Sequence, residues 1–232
     1  MVAGRVSGLP LEQVVGWAEF RGLRIEVDPG VFVPRRRSEF LVEVAIAGAA
    51  DDRSVIVDLC CGTGALGLAT AAGLSARDGS GRGTPAAFGA RLHAAELDPA
   101  AVTCARRNVE PAGGQVYEGD LFTPLPSSLK GRVAILICNA PYVPTSEIAF
   151  MPPEARDHEA RMALDGGSDG LATLRRAAAR APGWLAPGGT LLVETSERQA
   201  VLMADVMTSA GLSPRVHTDE EMGATVVTGT WR

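Results

Sequence analysis

Val55-Ile56-Val57-Asp58-Leu59-Cys60-Cys61-Gly62-Thr63-Gly64-Ala65 runs from an apolar, β-branched stretch through a glycine turn into an alanine-rich segment. A strand that ends in glycines and feeds a helix is how α/β sheets bring backbone close to a nucleotide-like ligand, with unpaired N–H groups at the helix start. Gly62 and Gly64 permit that close approach. Gly62-Thr63-Gly64-Ala65-Leu66-Gly67 also matches the dinucleotide pattern GxGxxG, so an NAD-dependent dehydrogenase is one reading. Asp58 discriminates, because a carboxylate just before the turn repels a pyrophosphate and suits a cationic amino-acid cofactor. S-adenosylmethionine has that polarity.

Outward from this turn, apolar β-rich runs alternate with alanine-rich stretches, the pattern of a parallel sheet covered by helices on both faces. Strands are expected over Ser54–Leu59, Arg91–Glu96, Gln115–Glu118, Val133–Cys138 and Thr190–Glu194. Helices are expected over Ala65–Leu74, Pro99–Val109, Gly170–Ala181 and Arg198–Gly211, with Pro187-Gly188-Gly189 as the turn before the fifth strand. Short runs around Arg215 and over Ala224 to Trp231, joined by the acidic Asp219 to Glu221, predict a terminal antiparallel hairpin. Residues 75–90, rich in Gly, Ser, Arg and Pro, read as a surface insertion. The glycines and prolines between Leu9 and Arg37 predict a small N-terminal β-hairpin flap over residues 1–40, ahead of a cofactor-binding domain over 41–232.

The second strand ends on Glu96, placing a carboxylate where it can accept hydrogen bonds from ribose hydroxyls. It lies 32 residues beyond Gly64 rather than the usual ~20, and the insertion accounts for the excess. Asp98 is expected to cap the helix that starts at Pro99. After the third strand, Glu118-Gly119-Asp120-Leu121-Phe122 offers a carboxylate for an adenine amino group and apolar side chains for its ring. The fourth strand delivers Asn139-Ala140-Pro141-Tyr142 to the same edge. A planar nitrogen is a poor nucleophile because its lone pair is delocalised, so it needs hydrogen-bond acceptors that hold its N–H groups and aim the lone pair. The side-chain oxygen of Asn139 and the carbonyl of Ala140 supply two such acceptors. Pro141 restrains Ala140 toward extended geometry, and Tyr142 presents a flat face.

In these residues the chain resembles the glutamine-N5 methyltransferases of the HemK/PrmC type, which modify the glutamine of a Gly-Gly-Gln loop in peptide-chain release factors. The likeness spans nearly the whole chain. It takes in Pro10-Leu11-Glu12-Gln13 with Gly16 and Phe20, Pro29 to Arg35 with Ser38-Glu39, Asp58 to Ala65, Glu96 and Asn139 to Tyr142. It continues through Ala163 to Gly167, Asp169-Gly170-Leu171 and Leu192-Val193-Glu194. The resemblance implies a Rossmann-like seven-stranded sheet, S-adenosylmethionine contacts from Cys60, Cys61, Gly62, Thr63, Gly64, Glu96, Leu121 and Asn139, and an acceptor amide held by Asn139 to Tyr142. The family's usual Asn-Pro-Pro-Tyr is Asn-Ala-Pro-Tyr here, which keeps both acceptors and frees the loop of one proline. Cys60 stands at the family's first glycine, where backbone freedom is smaller. The helical domain that precedes the flap in those enzymes and helps to grip their substrate is expected to be absent. The acceptor is therefore a protein glutamine or a small molecule, methylated on nitrogen or on an activated carbon.

Composition narrows the alternatives. With 232 residues, 46% hydrophobic and 21% charged, the chain can bury a substantial core. A net charge of −5, with Arg35, Arg36 and Arg37 as the dense basic run, predicts no nucleic-acid partner and weighs against a DNA adenine methyltransferase. No apolar run approaches a membrane span, and the N-terminus lacks a signal core, so a cytoplasmic enzyme is expected. Cys60, Cys61, Cys104 and Cys138 lack metal-ligand spacing and read as reduced thiols, and His93, His158 and His217 are scattered. No metal is expected.

Overall fold

Val133-Ala134-Ile135-Leu136-Ile137-Cys138 has no polar face, so a strand built from it must be covered on both sides. The computed structural model, which describes residues 5–6, 8–49, 54–77 and 91–232, places it in the middle of the sheet. A separate hairpin, β1 (Trp17–Phe20) and β2 (Leu23–Glu26), comes first. The main sheet comprises β3 (Val55–Leu59), β4 (Leu92–Glu96), β5 (Gln115–Glu118), β6 (Val133–Cys138), β7 (Leu185–Thr195), β8 (Ser213–Asp219) and β9 (Ala224–Thr230). Its spatial order is β5-β4-β3-β6-β7-β9-β8, with β5 to β7 parallel and β9 antiparallel to both of its neighbours.

Alternation along β6 sends Ile135 and Ile137 to one face, where they pack with Leu41 and Val42 of α2 (Glu39–Gly48), Leu68 of α3 (Ala65–Arg77) and Val102 of α4 (Pro99–Val109). Leu136 and Cys138 face the other way, onto Leu174 of α6 (Ala172–Arg180) and Met203 of α7 (Glu197–Ser209). Two short helices, α1 (Leu11–Val15) and α5 (Pro153–His158), complete the sequence order. The chain builds β3, β4 and β5 outward and then returns to lay β6 on the other side of β3. That reversal opens a crevice at the carboxyl ends of the strands.

Local chemistry sets several ends. Asp98 accepts the N–H of Ala100 at 3.0 Å and Pro99 starts α4, as expected from sequence. Ser196 and Gln199 form a reciprocal cap on α7. The flap hairpin turns on Arg21 and Gly22, both at positive φ (49° and 76°), as a two-residue hairpin turn that follows the strand twist requires.

Some boundaries differ from the sequence reading. Pro187-Gly188-Gly189 is not a turn ahead of a strand, because β7 runs through it from Leu185. Gly188 donates to the carbonyl of Trp231 at 2.8 Å and Trp231 donates to that of Gly189 at 2.9 Å, so pairing with the C-terminal segment absorbs the glycines as a strand irregularity. The α6 helix starts at Ala172 because Gly170 has φ 78°, and α7 stops at Ser209 ahead of Gly211, φ 84°. Helix α3 extends to Arg77, taking the first residues of the expected insertion, and the rest of it, 78–90, lies outside the described residues. Helices α1, α2 and α5 have no counterpart in the sequence reading. Among the described residues, no helix is long and apolar enough to cross a membrane.

Candidate active site

The crevice holds a cleft of about 190 Å³, its mouth open to solvent. Three turns form its floor. After β3 the chain passes through Cys60, Gly62 and Gly64 at φ 54°, 55° and 80°. The Cys61 N–H is donated to Ala95 at 3.2 Å, which seats the turn against β4. Glu96 grips the same turn, as Oε2 accepts the Gly62 N–H at 2.9 Å while Oε1 accepts those of Leu97 at 2.7 Å and Asp98 at 3.0 Å. From behind, Asn108 donates to the carbonyls of Thr63 at 2.9 Å and Glu26 at 3.0 Å, joining the turn to the flap hairpin.

Cys60, Cys61, Gly62, Thr63, Glu96, Asp120, Leu121 and Asn139 all line this cleft. Asp120 is ion-paired with Arg176, and Leu121 takes φ 49° as the chain leaves the third turn. Two expected members do not line it. Gly64 faces α4, where an added Cβ would come within 2.5 Å of Val109 Cγ2, so its missing side chain serves helix packing. Asp58 is 1% exposed and lies behind the turn, with Oδ2 accepting the Gly67 N–H at 2.9 Å and Oδ1 left without a partner. Burial raises its carboxyl to about 7, against the lowering effect of the Gly67 bond. The carboxylate therefore ties the strand to α3 and does not face a cationic group in the cleft.

The loop after β6 brings Asn139, Ala140, Pro141 and Tyr142 into the same cleft. Their support comes from residues distant in sequence. Gln199 donates to the carbonyls of Tyr142 and Asp169, each at 2.9 Å. An added Cβ on Gly170 would come within 2.2 Å of the Tyr142 carbonyl, and one on Gly166 within 2.7 Å of that of Pro141. Gly166 and Gly170 are thus needed for backbone to stack against the loop.

Glu194, 2% exposed near the end of β7, accepts hydrogen bonds from Tyr142 Oη at 2.7 Å, Ser38 Oγ at 2.5 Å and Arg37 Nε at 2.9 Å. Arg37 Nη2 also donates to Tyr142 Oη at 2.6 Å. Burial and the Glu194 charge push the Tyr142 phenol well above the usual range. No role for Glu194 follows from the sequence alone, where its signal is a carboxylate ending the apolar run Leu191-Leu192-Val193. On the flap, Arg35 donates to both carboxylate oxygens of Glu159 at 2.6 Å, and Phe32, Pro34 and Arg35 form one wall of the cleft.

The cleft suits S-adenosylmethionine on its own features. A Cβ added to Gly62 would meet nothing within 4 Å, so the turn presents bare backbone to open space. Glu96 supplies acceptor oxygens beside it, with Leu66, Ala101 and Leu121 as apolar lining. His93 meets Tyr117 at 3.1 Å, His217 meets Thr228 at 3.1 Å, and no histidine lines the cleft. All four cysteines are free thiols, and among the described residues no group of three or more His, Cys, Asp or Glu is placed to hold a metal.

No family model matches the chain. It is 39% identical over 212 residues to the release factor glutamine methyltransferase of Mycolicibacterium smegmatis, covering 91% of this chain and 70% of that protein. It is 33% identical over 216 residues to the 4-amino-L-phenylalanine/4-methylamino-L-phenylalanine methyltransferase of Streptomyces pristinaespiralis, covering 90% of this chain and 69% of that protein. In fold it is similar to the crystal structure of a methyltransferase from Pyrococcus furiosus, with TM-score 0.60, 16% identity and 98% of each chain covered. The sheet, the open glycine turn and the relatives agree: this chain is an S-adenosylmethionine-dependent methyltransferase and belongs to the release factor glutamine methyltransferase family.

Proposed function

We propose that the chain methylates the side-chain amide nitrogen of a protein glutamine. The observation that carries this reading is the presence of Asn139, Ala140, Pro141 and Tyr142 in the same cleft as Gly62 and Glu96. When bound, S-adenosylmethionine supplies an electrophilic methyl group. Cys60 to Thr63, Glu96, Asp120 and Leu121 would hold it. Asn139 Oδ1 and the Ala140 carbonyl would accept the N–H groups of the acceptor, fixing the nitrogen so that its lone pair faces the methyl donor. The nitrogen gains positive character as its new bond forms, so these two acceptors stabilise the transition state more than the ground state. The ring of Tyr142 would cover the planar group. The methylated nitrogen is acidic enough to release its proton to water, so the loop needs no strong base.

The relative from Streptomyces pristinaespiralis favours a second reading, a small-molecule aryl amine. Its named substrate carries a planar nitrogen whose lone pair is delocalised into a ring, and the same loop chemistry serves it. Both readings expect a cytoplasmic enzyme with reduced thiols that acts on neither nucleic acid nor membrane, and the net charge of −5 weighs against a nucleic-acid partner.

The test is radiolabelled methyl transfer by the purified chain to a release factor bearing a Gly-Gly-Gln loop, beside an aryl-amine amino acid. Label in the protein, lost when its glutamine is replaced, supports the first reading. Label confined to the amine overturns it.

A further inference from the structure

We infer that Glu194 is a positioning residue for methyl transfer: its buried carboxylate fixes which end of the Asn139 carboxamide faces the acceptor, and Arg37 and Ser38 couple that choice to the flap. The inference rests on the reading that Asn139 Oδ1 holds an acceptor N–H.

An asparagine carboxamide has a donor end and an acceptor end of nearly equal size, and it is useful here only if the oxygen points at the substrate. Shape cannot make that choice, so the neighbours must. Asn139 Nδ2 lies 3.4 Å from Glu194 Oε2 and 3.5 Å from Ser38 Oγ. Glu194, when ionised, only accepts. Ser38 has spent its hydroxyl hydrogen on Glu194 at 2.5 Å, so toward Asn139 it too is an acceptor. Reversing the carboxamide would set its oxygen against both. The two contacts are long and add little binding of their own; their effect is to exclude the reversed orientation.

Glu194 is held for this task from two distant parts of the chain. Tyr142 and Arg37 donate to Oε1 at 2.7 and 2.9 Å, while Ser38 and Asn139 are on Oε2. The Arg37 guanidinium offsets the cost of burying the charge. With its oxygens occupied by four donors, Glu194 is poorly placed to act as a base, which separates positioning from proton transfer. Arg37 and Ser38 belong to the segment that leads from the flap into α2, so a displaced flap would take the Ser38 acceptor from Asn139 and the Arg37 donor from Glu194, weakening the bias on the carboxamide.

A glutamine at 194 keeps the size but can offer an N–H to Asn139 Oδ1, stabilising the reversed carboxamide. Glu194→Gln is expected to lower turnover ~10–100-fold, the scale of a mispositioned group, with S-adenosylhomocysteine affinity changed less than threefold. In an Asn139→Ala background the same substitution should have little further effect, because it acts through Asn139. Effects that multiply would overturn the inference.

A second measurement needs no acceptor. The chain has two asparagines, Asn108 and Asn139, so protein labelled with nitrogen-15 asparagine gives two side-chain amide pairs, assigned by the one lost in Asn139→Ala. Glu194→Gln should shift the Asn139 pair and speed its hydrogen exchange, leaving Asn108 unchanged. An unmoved Asn139 pair rejects the inference even if glutamine methylation is found, and a moved pair upholds it even if the acceptor proves to be an amine. Should Glu194→Gln not fold, Ser38→Ala removes one of the two acceptors and is expected to give the same shift with a smaller loss of turnover.

Discussion

The carboxylate of Glu96, at the end of β4, accepts the backbone N–H of Gly62 in the neighbouring turn at 2.9 Å. One side chain thus shapes the turn and offers acceptors to whatever lies on it. Glu96→Ala should weaken S-adenosylmethionine binding by about 1.5–3 kcal/mol through lost charge-assisted hydrogen bonds, with the fold retained. Calorimetric titration checks this, and unchanged affinity would remove Glu96 from the cofactor site.

Asn139→Ala should separate binding from chemistry. Turnover is expected to fall by about two to three orders of magnitude, the effect of deleting one preorganised polar group, with a much smaller change in cofactor affinity. Single-turnover transfer beside cofactor titration makes the measurement. A near-normal rate would mean that acceptor activation lies elsewhere.

Asp58 gives stability a pH dependence opposite to that of a salt-bridged carboxylate. Burial raises its carboxyl to about 7 in the folded chain, against about 3.9 for an unperturbed aspartate. The folded state therefore holds this proton more tightly. Its contribution is fully present below about pH 4, declines as pH rises, and is lost above about pH 7. Between pH 5 and 8 the loss should be about 2–3 kcal/mol, and Asp58→Asn should remove most of it. Urea midpoints of both proteins at the two pH values decide the matter, and parallel shifts count against the assignment.

Gly170→Ala should damage the acceptor loop from outside the cleft. The added Cβ would come within 2.2 Å of the Tyr142 carbonyl and 2.3 Å of Gln199 Nε2, at a φ of 78°. A loss of at least about 2 kcal/mol is expected, together with reduced turnover. Gly188→Ala is the control, since Gly188 has φ 80° but nothing within 4 Å of a Cβ, leaving only the ~1–2 kcal/mol backbone cost. Equal melting temperatures for the two variants would show that close approach at Gly170 is unimportant.

The sequence by itself determined the succession of the sheet strands along the chain, the open glycine turn after β3, the carboxylate ending β4 and the Asn139 to Tyr142 loop, because each is written in local periodicity and turn chemistry. It could not decide which way a side chain beside a turn would face. Asp58 turns inward to the Gly67 amide and Gly64 turns to Val109, outcomes fixed by how α3 and α4 pack on the sheet. Nor could it weigh Pro187-Gly188-Gly189, where pairing with Trp231 overrides a local turn signal. The hub at Glu194 is the clearest case: Ser38 and Glu194 are 156 positions apart, and only closure of the sheet brings them to 2.5 Å. A strand ending in a carboxylate is common, and what makes this one a partner of Asn139, Tyr142 and Arg37 is burial among donors from distant segments, where an acceptor-only group must find them or remain costly to bury.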